Sequence, residues 1–407
     1  MRIALVTPYD HQTPGGVREH VVNLDAQLRA LGHETTVIAP AASRQGLAGN
    51  VACVSEWIVP LRISGSVARV TLSPAVYPRI RRLFRDNAFE VVHLHEPLIP
   101  TVSLIALLCS RAATVGTIHG YRDSSPLYRF GRPLLARAIR RLGARTAVST
   151  DASRWATRYF PGDYRIISDG VDVGRFADPA IQRLRRFDDG KKNILFVGRL
   201  EPRKGLGHLL AALPMITARI PKARLIVAGA YSSADETGWR ESARAAGDVV
   251  FTGPVAAADL PRVYRSADVF CAPSTGFEAL GIVLLEAMAA GVPIVTTDIE
   301  GYRTVVTDGA EGFLVPPRDA ARLADAIVAV LSDETRARAM TAAAAVTVRR
   351  YDWPLLARRY LELYEETAER FALSSSGAGR RRRRSDDHAS TSHRRPVHRD
   401  SVDRDPA

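Results

Sequence analysis

The stretch Asn193-Ile-Leu-Phe-Val-Gly-Arg-Leu-Glu-Pro-Arg-Lys-Gly-Leu206 decides the fold of this chain. Residues 194–197 form a short apolar run typical of a buried strand, and a glycine-containing turn then leads into a helical pattern from Leu206. A strand, a tight turn and a helix in this order begin a βαβ unit, in which crossover helices join parallel strands.

The same alternation occurs on both sides of this stretch. Near the amino terminus, Arg2–Thr7 is a buried strand by its composition, and apolar residues at helical spacing follow from Val17 to Leu31. We expect further strands at Thr35–Ala39, Val91–Leu94, Thr114–Ile118, Thr146–Ser149, Arg224–Ala228, Val249–Thr252, Val269–Ala272 and Pro293–Thr296. Two such series predict an α/β protein with two Rossmann-like domains that face each other across a cleft.

Changes in composition predict the domain boundaries. The polar stretch from Ala177 to Lys192 separates the two series, so we predict domains at 1–176 and 177–350. A last amphipathic helix is expected within 351–372, packed back on the first domain. Residues 373–407 are rich in Ser, Gly, Arg and Asp and lack aromatic side chains, which predicts a disordered basic tail.

Charge and hydropathy limit the class of protein. The 407 residues carry a formal net charge of +13, which favours contact with anionic surfaces. No apolar run reaches the ~20 residues of a membrane span, and the chain opens with a strand pattern instead of a signal peptide. Any membrane contact is therefore expected to be peripheral, and the basic amphipathic stretch Tyr77–Arg85 is the segment that suits it.

Unusual residues collect where strands end, which is where ligands bind in open α/β sheets. Arg199, Arg203 and Lys204 follow the strand that ends at Val197 and lie beside a predicted helix amino terminus. Three cations and a helix amino terminus together favour an anion such as a diphosphate.

A second group is the acidic pair Glu278 and Glu286, eight residues apart. Glu278 precedes a helix and can accept hydrogen bonds from sugar hydroxyls, while the amides of Ala279, Leu280, Gly281 and Ile282 can face an anion or a sugar oxygen. Glu286 lies among apolar residues and needs a polar partner, such as a ribose.

Two further features lie in the first domain. Gly15 and Gly16 precede a helix and allow close approach of a ligand to the backbone. His119 follows a strand, as do His93, His95 and Glu96. No Asp-x-Asp element stands where it could hold a metal-bound diphosphate, so we expect these histidines to have structural or substrate-orienting roles and expect no metal.

Four motifs occur in order: Pro14-Gly-Gly16, Asp169-Gly-Val-Asp172, Gly198–Gly205 and the pair Glu278/Glu286. With these motifs the chain resembles the retaining family 4 glycosyltransferases of GT-B fold over residues 1 to about 371. Within that family it is most similar to the members that transfer mannose from GDP-mannose to phosphatidylinositol. The shared stretches include His95-Glu-Pro97, Gly65-Ser-Val-Ala-Arg69 and Tyr351-Asp-Trp353.

The resemblance implies a role for each matching residue. The catalytic residues would be His119, Arg199, Lys204 and Glu278. The donor would contact Gly15, Gly16, Arg199, Arg203, Lys204, Glu278, Ala279, Leu280, Gly281, Ile282 and Glu286. The acceptor would contact Tyr9, Arg18, Ser64 and Arg69 in the first domain.

The resemblance also implies the setting of the reaction. The first domain would bind the acceptor and the second the nucleotide-sugar, which is a co-substrate, with no cofactor and no metal required. The protein would act at the cytoplasmic face of the plasma membrane as a peripheral protein, on an anionic lipid, without nucleic acid or an obligate protein partner.

Other readings stay open. A different UDP- or GDP-sugar donor or another lipid or glycan acceptor fits the same motifs, because Arg18 and Ser64 stand where the similar enzymes carry amides. A sugar-nucleotide epimerase can share the fold. Nucleic-acid binding would rest on charge alone and predicts aromatic residues interleaved with basic ones.

Overall fold

The computed structural model describes residues 1–63, 66–120, 126–230 and 233–390. Two parallel sheets form two Rossmann-like domains, as the alternation of strands and helices predicted. The first-domain strands are β1 (Arg2–Val6), β2 (Glu34–Ala39), β3 (Val51–Cys53), β4 (Val59–Ile63), β5 (Ser66–Val70), β6 (Val91–His95), β7 (Ala113–Ile118), β8 (Ala144–Ala147) and β9 (Arg165–Ile166). Its helices are α1 (Gly16–Ala30), α2 (Val76–Asp86), α3 (Val102–Cys109), α4 (Pro126–Ile139), α5 (Thr150–Tyr159) and α6 (Val173–Ala177).

The first sheet has the strand order β3-β2-β1-β6-β7-β8-β9, and all its neighbours are parallel. The hairpin β4–β5 is separate and antiparallel. It was not predicted from the sequence. The amide of Asp10 donates to the carbonyl of Arg69 (2.9 Å), which fixes the hairpin beside the end of β1.

The second domain repeats the pattern with six parallel strands in the order β12-β11-β10-β13-β14-β15. The strands are β10 (Lys192–Val197), β11 (Ala223–Ala228), β12 (Val249–Gly253), β13 (Val269–Ala272), β14 (Ile294–Thr297) and β15 (Gly312–Val315). The helices are α7 (Leu206–Thr217), α8 (Ser233–Ala246), α9 (Leu260–Arg265), α10 (Ile282–Ala289), α11 (Glu300–Arg303), α12 (Ala320–Ser332), α13 (Glu334–Thr347) and α14 (Trp353–Ser390).

Helix α14 leaves the second domain and packs on the first. Trp353, Leu356, Tyr360 and Tyr364 are buried in one cluster with side chains of β1 and α1. Large aromatic side chains contribute most to such contacts, since each buries about 150–250 Å² of surface. The chain therefore crosses between the domains twice, near residues 169–177 and near residues 348–353.

The carboxyl-terminal segment differs from the prediction. Residues 373–390 continue α14 as a helix, where the sequence predicted disorder from residue 373. Arginine and alanine are good helix formers and no proline occurs between Pro354 and Pro396, so the backbone meets no obstacle to helix. Residues 391–407 of the predicted tail lie outside the described residues. In the part of the chain that the structure describes, none of the helices has the length and apolar character needed to cross a bilayer.

Candidate active site

The loop Gly198–Gly205, called the basic loop here, lies between β10 and α7, at the carboxyl end of the second sheet. Pro202–Lys204 forms one short helical turn, and Gly205 then reverses the chain with φ of 75° before α7 begins at Leu206. A Cβ at Gly205 would lie 1.8 Å from the carbonyl oxygen of Pro273. Only glycine fits this close approach, which brings the basic loop against the segment that follows β13.

Five side chains of these two loops form one ion-pair cluster. Lys204 Nζ lies 2.7 Å and Arg203 Nη1 2.6 Å from Oε1 of Glu278. Glu201 joins the cluster by contacts of 2.9 Å to Arg203 Nε and 3.1 Å to Arg199 Nη1. Burial opposes ionisation of Glu278, yet Lys204 and Arg203 hold the pKa of its carboxyl below the usual value. The predicted phosphate cations and the predicted sugar carboxylate thus meet at one point.

The loop after Glu278 presents backbone amides to the same place. Gly281 adopts a left-handed conformation with φ of 87° and caps α10, whose first-turn amides have no partner within the helix. The ring of Tyr302 would lie 2.6 Å from a Cβ at Gly281, so glycine is required there. Ala279, Leu280, Gly281 and Ile282 therefore lie in the turn that leads into α10, and their predicted contact with the donor stays a prediction.

Glu286 lies one turn further along α10 and is half-buried. The hydroxyl of Tyr264 donates to its Oε2 at 2.7 Å. Burial raises the pKa of the Glu286 carboxyl to about 7, and the Tyr264 hydrogen bond opposes this rise. A carboxyl that is only partly ionised at neutral pH would gain from the two hydroxyl donors of a ribose.

A cavity of about 220 Å³ lies on the other side of the cleft. It joins Arg199 of the second domain to residues of β5 and to residues that follow β1, β6 and β7 of the first. Gly16 lies close to the second domain, since a Cβ at this position would be 3.6 Å from the side chain of Ile282. The lining residues are Tyr9, Asp10, Thr13, Pro14, Gly15, Gly16, Val17, Arg18, Val67, Ala68, Arg69, Glu96, His119, Gly120 and Arg199.

The predicted acceptor residues Tyr9, Arg18 and Arg69 meet in this cavity with the predicted donor residues Gly15, Gly16 and Arg199. Arg18 is held in place by a 2.6 Å hydrogen bond from its Nε to the carbonyl of His11. Ser64, the fourth predicted acceptor residue, lies outside the described residues.

His119 is positioned by residues that sequence reasoning did not assign. Oε1 of Glu96 accepts hydrogen bonds from the amides of His119 (2.9 Å) and Gly120 (2.6 Å). Glu96 is buried and has a positive φ of 51°, a strained backbone position for this residue type. Its place directly after a predicted strand was the available sequence signal.

Three buried histidines could in principle bind one ion, because one nitrogen of each of His20, His95 and His119 lies within 4.8 Å of the others. However, His95 Nδ1 is 2.9 Å from His119 Nε2, and His20 Nδ1 is 2.7 Å from Asp169 Oδ1. The other ring nitrogens, Nε2 of His20, Nε2 of His95 and Nδ1 of His119, are buried and make no hydrogen bond of normal geometry among the described residues. The expectation that no metal binds here therefore stays a prediction.

Comparison with known protein families identifies the family of this chain. The family described as Glycosyl transferases group 1 matches residues 178–346, and Glycosyltransferase Family 4 matches residues 14–175. The chain belongs to the family 4 glycosyltransferases of GT-B fold.

Full-length relatives agree with this glycosyltransferase assignment. The chain is 38% identical to the phosphatidyl-myo-inositol mannosyltransferase of Mycolicibacterium smegmatis, covering 90% of this chain and 94% of that one. It is 32% identical to the enzyme of the same name from Propionibacterium freudenreichii, covering 92% and 97%.

Solved structures share the glycosyltransferase fold. Anabaena HepE, solved with UDP and glucose, superimposes with a TM-score of 0.72 at 20% identity over 90% of this chain and 100% of that chain. A glycosyltransferase from Rickettsia africae gives 0.71 at 19% identity over 90% and 98%. At these identities the likeness concerns the fold alone.

Proposed function

We propose that this glycosyltransferase moves mannose from GDP-mannose to phosphatidylinositol, with retention of the anomeric configuration and without a metal. The observation that carries the proposal is the single cavity in which Arg199 meets Tyr9, Arg18, Arg69 and His119. The names of the full-length relatives support mannose as the sugar and phosphatidylinositol as the acceptor.

The donor would lie across the second domain. Its diphosphate would contact Arg199, Arg203, Lys204 and the Gly15–Gly16 turn, and its sugar would contact Glu278 and the amides up to Ile282. Negative charge develops on the leaving diphosphate as the C1–O bond breaks. Cations already fixed at that position stabilise the transition state more than the ground state, and they perform the charge stabilisation that a metal provides in other enzymes.

The acceptor would lie in the first domain, with its phosphate near Arg69 and Arg18. In this scheme the acceptor hydroxyl attacks from the face that the diphosphate leaves, and a diphosphate oxygen takes the hydroxyl proton. His119 would contact the sugar near the reacting carbon. Glu96 would hold the His119–Gly120 backbone in place through its two amide contacts.

The proposed location is the cytoplasmic face of the plasma membrane, with peripheral binding. Support comes from three neighbouring helices, since α2 packs on α3 and α3 on α4. Helix α2 carries four arginines among its 11 residues. Helix α4 exposes Phe130 (79%) and Leu134 (80%) beside Arg129, Arg132 and Arg137. Exposed apolar side chains flanked by arginine suit the interface of an anionic bilayer.

The test supplies purified protein with vesicles that contain phosphatidylinositol and, in parallel, GDP-mannose, UDP-glucose or UDP-N-acetylglucosamine. Nucleotide release and lipid mass are followed. A hexose added to phosphatidylinositol from GDP-mannose, and lost in Glu278→Ala, supports the proposal. Transfer from another donor or to another lipid would replace the donor or acceptor assignment, and release of an altered free sugar nucleotide would indicate an epimerase.

The acceptor site has a separate test. Arg69→Ala is expected to raise the KM for phosphatidylinositol while donor binding is retained. Arg44→Ala is the matched control, because Arg44 is an exposed arginine of the same domain, paired with Glu56 at 2.8 Å. An unchanged acceptor KM in Arg69→Ala would contradict the placement of the acceptor phosphate.

A further inference from the structure

A buried carboxylate joins the interdomain crossing to the candidate active site. Oδ1 of Asp169 lies 2.7 Å from Nδ1 of His20 and 3.4 Å from Nδ1 of His119. The Asp169 side chain is 11% exposed, and those of His20 and His119 are 0% and 5% exposed. No other charged side chain pairs with Asp169 among the described residues, so the two imidazoles are its partners there.

Imidazole and aromatic side chains pack around His20, the nearer partner of this carboxylate. His20 packs its ring edge against His119 and His95, and from α14 against Trp353 and Tyr360. Burial lowers the pKa of His20, His93 and His95, so these rings are neutral near pH 7. Burial opposes ionisation of Asp169, but hydrogen bonding by His119 and His20 holds its pKa well below the usual range. The cluster therefore contains one fixed negative charge.

An ionised carboxylate only accepts hydrogen bonds, which determines where the protons of the imidazoles lie. His20 must carry its proton on Nδ1 to donate to Asp169. Nδ1 of His119 lies 3.4 Å from the same oxygen in a longer contact, and the negative charge of Asp169 favours a proton on this nitrogen. Nε2 of His119 is then an acceptor, and it receives the Nδ1 proton of His95 at 2.9 Å.

Asp169 also belongs to the first crossing between the domains. Two residues later, Val171 pairs with the second crossing, through its amide to Tyr351 O (2.9 Å) and its carbonyl to Trp353 N (3.2 Å). A Cβ at Gly170 would lie 2.7 Å from Leu356, so this segment packs tightly on the start of α14. A shift of the crossing during domain closure would move the Asp169 carboxylate relative to His119.

We infer that Asp169 is a positioning residue for glycosyl transfer, which holds the His119 ring as the Nδ1-protonated tautomer and links its position to the interdomain crossing. This inference rests on the proposed function only in that His119 is taken to contact the donor sugar or acceptor. The orientation and tautomer of His119 themselves are properties of the free protein.

The variant Asp169→Asn keeps the size of the side chain and removes its charge. An amide nitrogen can donate to His119 Nδ1, which would favour the Nε2-protonated tautomer. Asp172→Asn is the matched control in the same segment. Asp172 caps α6 by accepting from the amide of Arg175 at 2.9 Å, a role that asparagine also performs.

The first measurement is the 15N shift of both ring nitrogens of His119, assigned by comparison with His119→Gln. We expect an Nδ1-protonated ring in the unmodified protein and in Asp169→Asn a shift toward Nε2 protonation, with Asp172→Asn unchanged. An Nε2-protonated His119 in the unmodified protein would overturn the inference. This readout requires that His119→Gln fold for the assignment, but it does not require that any donor turn over.

The second measurement is steady-state transfer. We expect kcat to fall at least about tenfold in Asp169→Asn, because a wrong tautomer of an active-site histidine can cost much more, while the donor KM stays within about twofold. An equal loss in Asp172→Asn, or an unchanged kcat in Asp169→Asn, would also overturn the inference. If no donor is used by any form of the protein, the proposed function fails and the ring measurement still decides the role of Asp169.

Discussion

The Nζ atom of Lys204 lies 2.7 Å from Oε1 of Glu278, although the two residues come from different loops of the second domain. The cation assigned to the donor diphosphate and the carboxylate assigned to the donor sugar are thus already paired in the free protein. A nucleotide-sugar that binds here would place its diphosphate beside Lys204 and its sugar hydroxyls beside Glu278, and neither side chain would need a large rearrangement. Preorganised charge of this kind is the largest contribution to catalysis in many enzymes.

Lys204→Ala should reduce kcat about 10²–10³-fold, the usual effect of removing one donor to a developing anion. Arg203 Nη1, at 2.6 Å from Glu278, would keep the carboxylate paired and the loop folded. Steady-state transfer assays measure the effect. Lys191→Ala is the control, since Lys191 is an exposed lysine paired with Asp248 at 2.7 Å. A kcat as high in Lys204→Ala as in Lys191→Ala would show that Lys204 does not act on the leaving group.

Donor affinity should depend on pH through Glu286, whose pKa is raised to about 7 by burial. Ribose hydroxyls donate to the ionised form, so binding below pH 7 must first remove a proton. We expect the Kd for GDP-mannose to weaken about tenfold from pH 8 to pH 6. Calorimetry in buffers of different ionisation enthalpy would detect the released proton.

Glu286→Gln is the control for this pH effect, because the glutamine side chain has no proton to release. This variant should bind GDP-mannose weakly at both pH 8 and pH 6.

The free energy of unfolding of the free protein should show the opposite trend with pH. Glu286 holds its proton in the folded state up to about pH 7 and in the unfolded state only to its ordinary value of 4.5. Its contribution to the free energy of unfolding should therefore decrease as pH rises between these values. A Kd that does not change with pH would refute the ribose assignment.

Gly205→Ala should strongly destabilise the second domain, since the new Cβ would lie 1.8 Å from the Pro273 carbonyl at a φ of 75°. A clash with backbone at a left-handed position is expected to cost more than about 3 kcal/mol of unfolding free energy. Gly207→Ala, two residues on within α7, has nothing within 4 Å of its Cβ and should stabilise the helix slightly. Chemical denaturation compares the two, and equal stability would contradict the packing of this loop.

Membrane contact is tested on α4. The double change Phe130→Ser and Leu134→Ser should weaken co-sedimentation with anionic vesicles at least about tenfold, because each exposed apolar side chain contributes about 1.5 kcal/mol or more when buried in the interface. Val346→Ser is the control, since Val346 is 63% exposed on α13 of the second domain. Binding that is equally strong in both variants would exclude α4 from the membrane surface.

Much of the local structure follows from the order of residues alone. Apolar runs followed by glycine and helical periodicity predict β10 and the start of α7 to within a residue, because buried parallel strands and amphipathic helices have distinct periods. The short strands β3, β9 and β15 and the hairpin β4–β5 were not predicted. Their few residues carry too little periodic signal, and they form because neighbouring strands offer hydrogen-bond partners.

The sequence also indicated which single residues carry functional side chains, but it did not show which other side chains they contact in the folded protein. Arg199, Arg203, Lys204, Glu278 and Glu286 stand out by type and by position at strand ends. Asp169 and His20, 149 positions apart, and Tyr264 and Glu286, 22 apart, meet only because the folded sheets and α14 bring them together. Spacing along a chain determines which side chains share a strand or helix, but burial and hydrogen bonding between distant elements decide their charge and orientation.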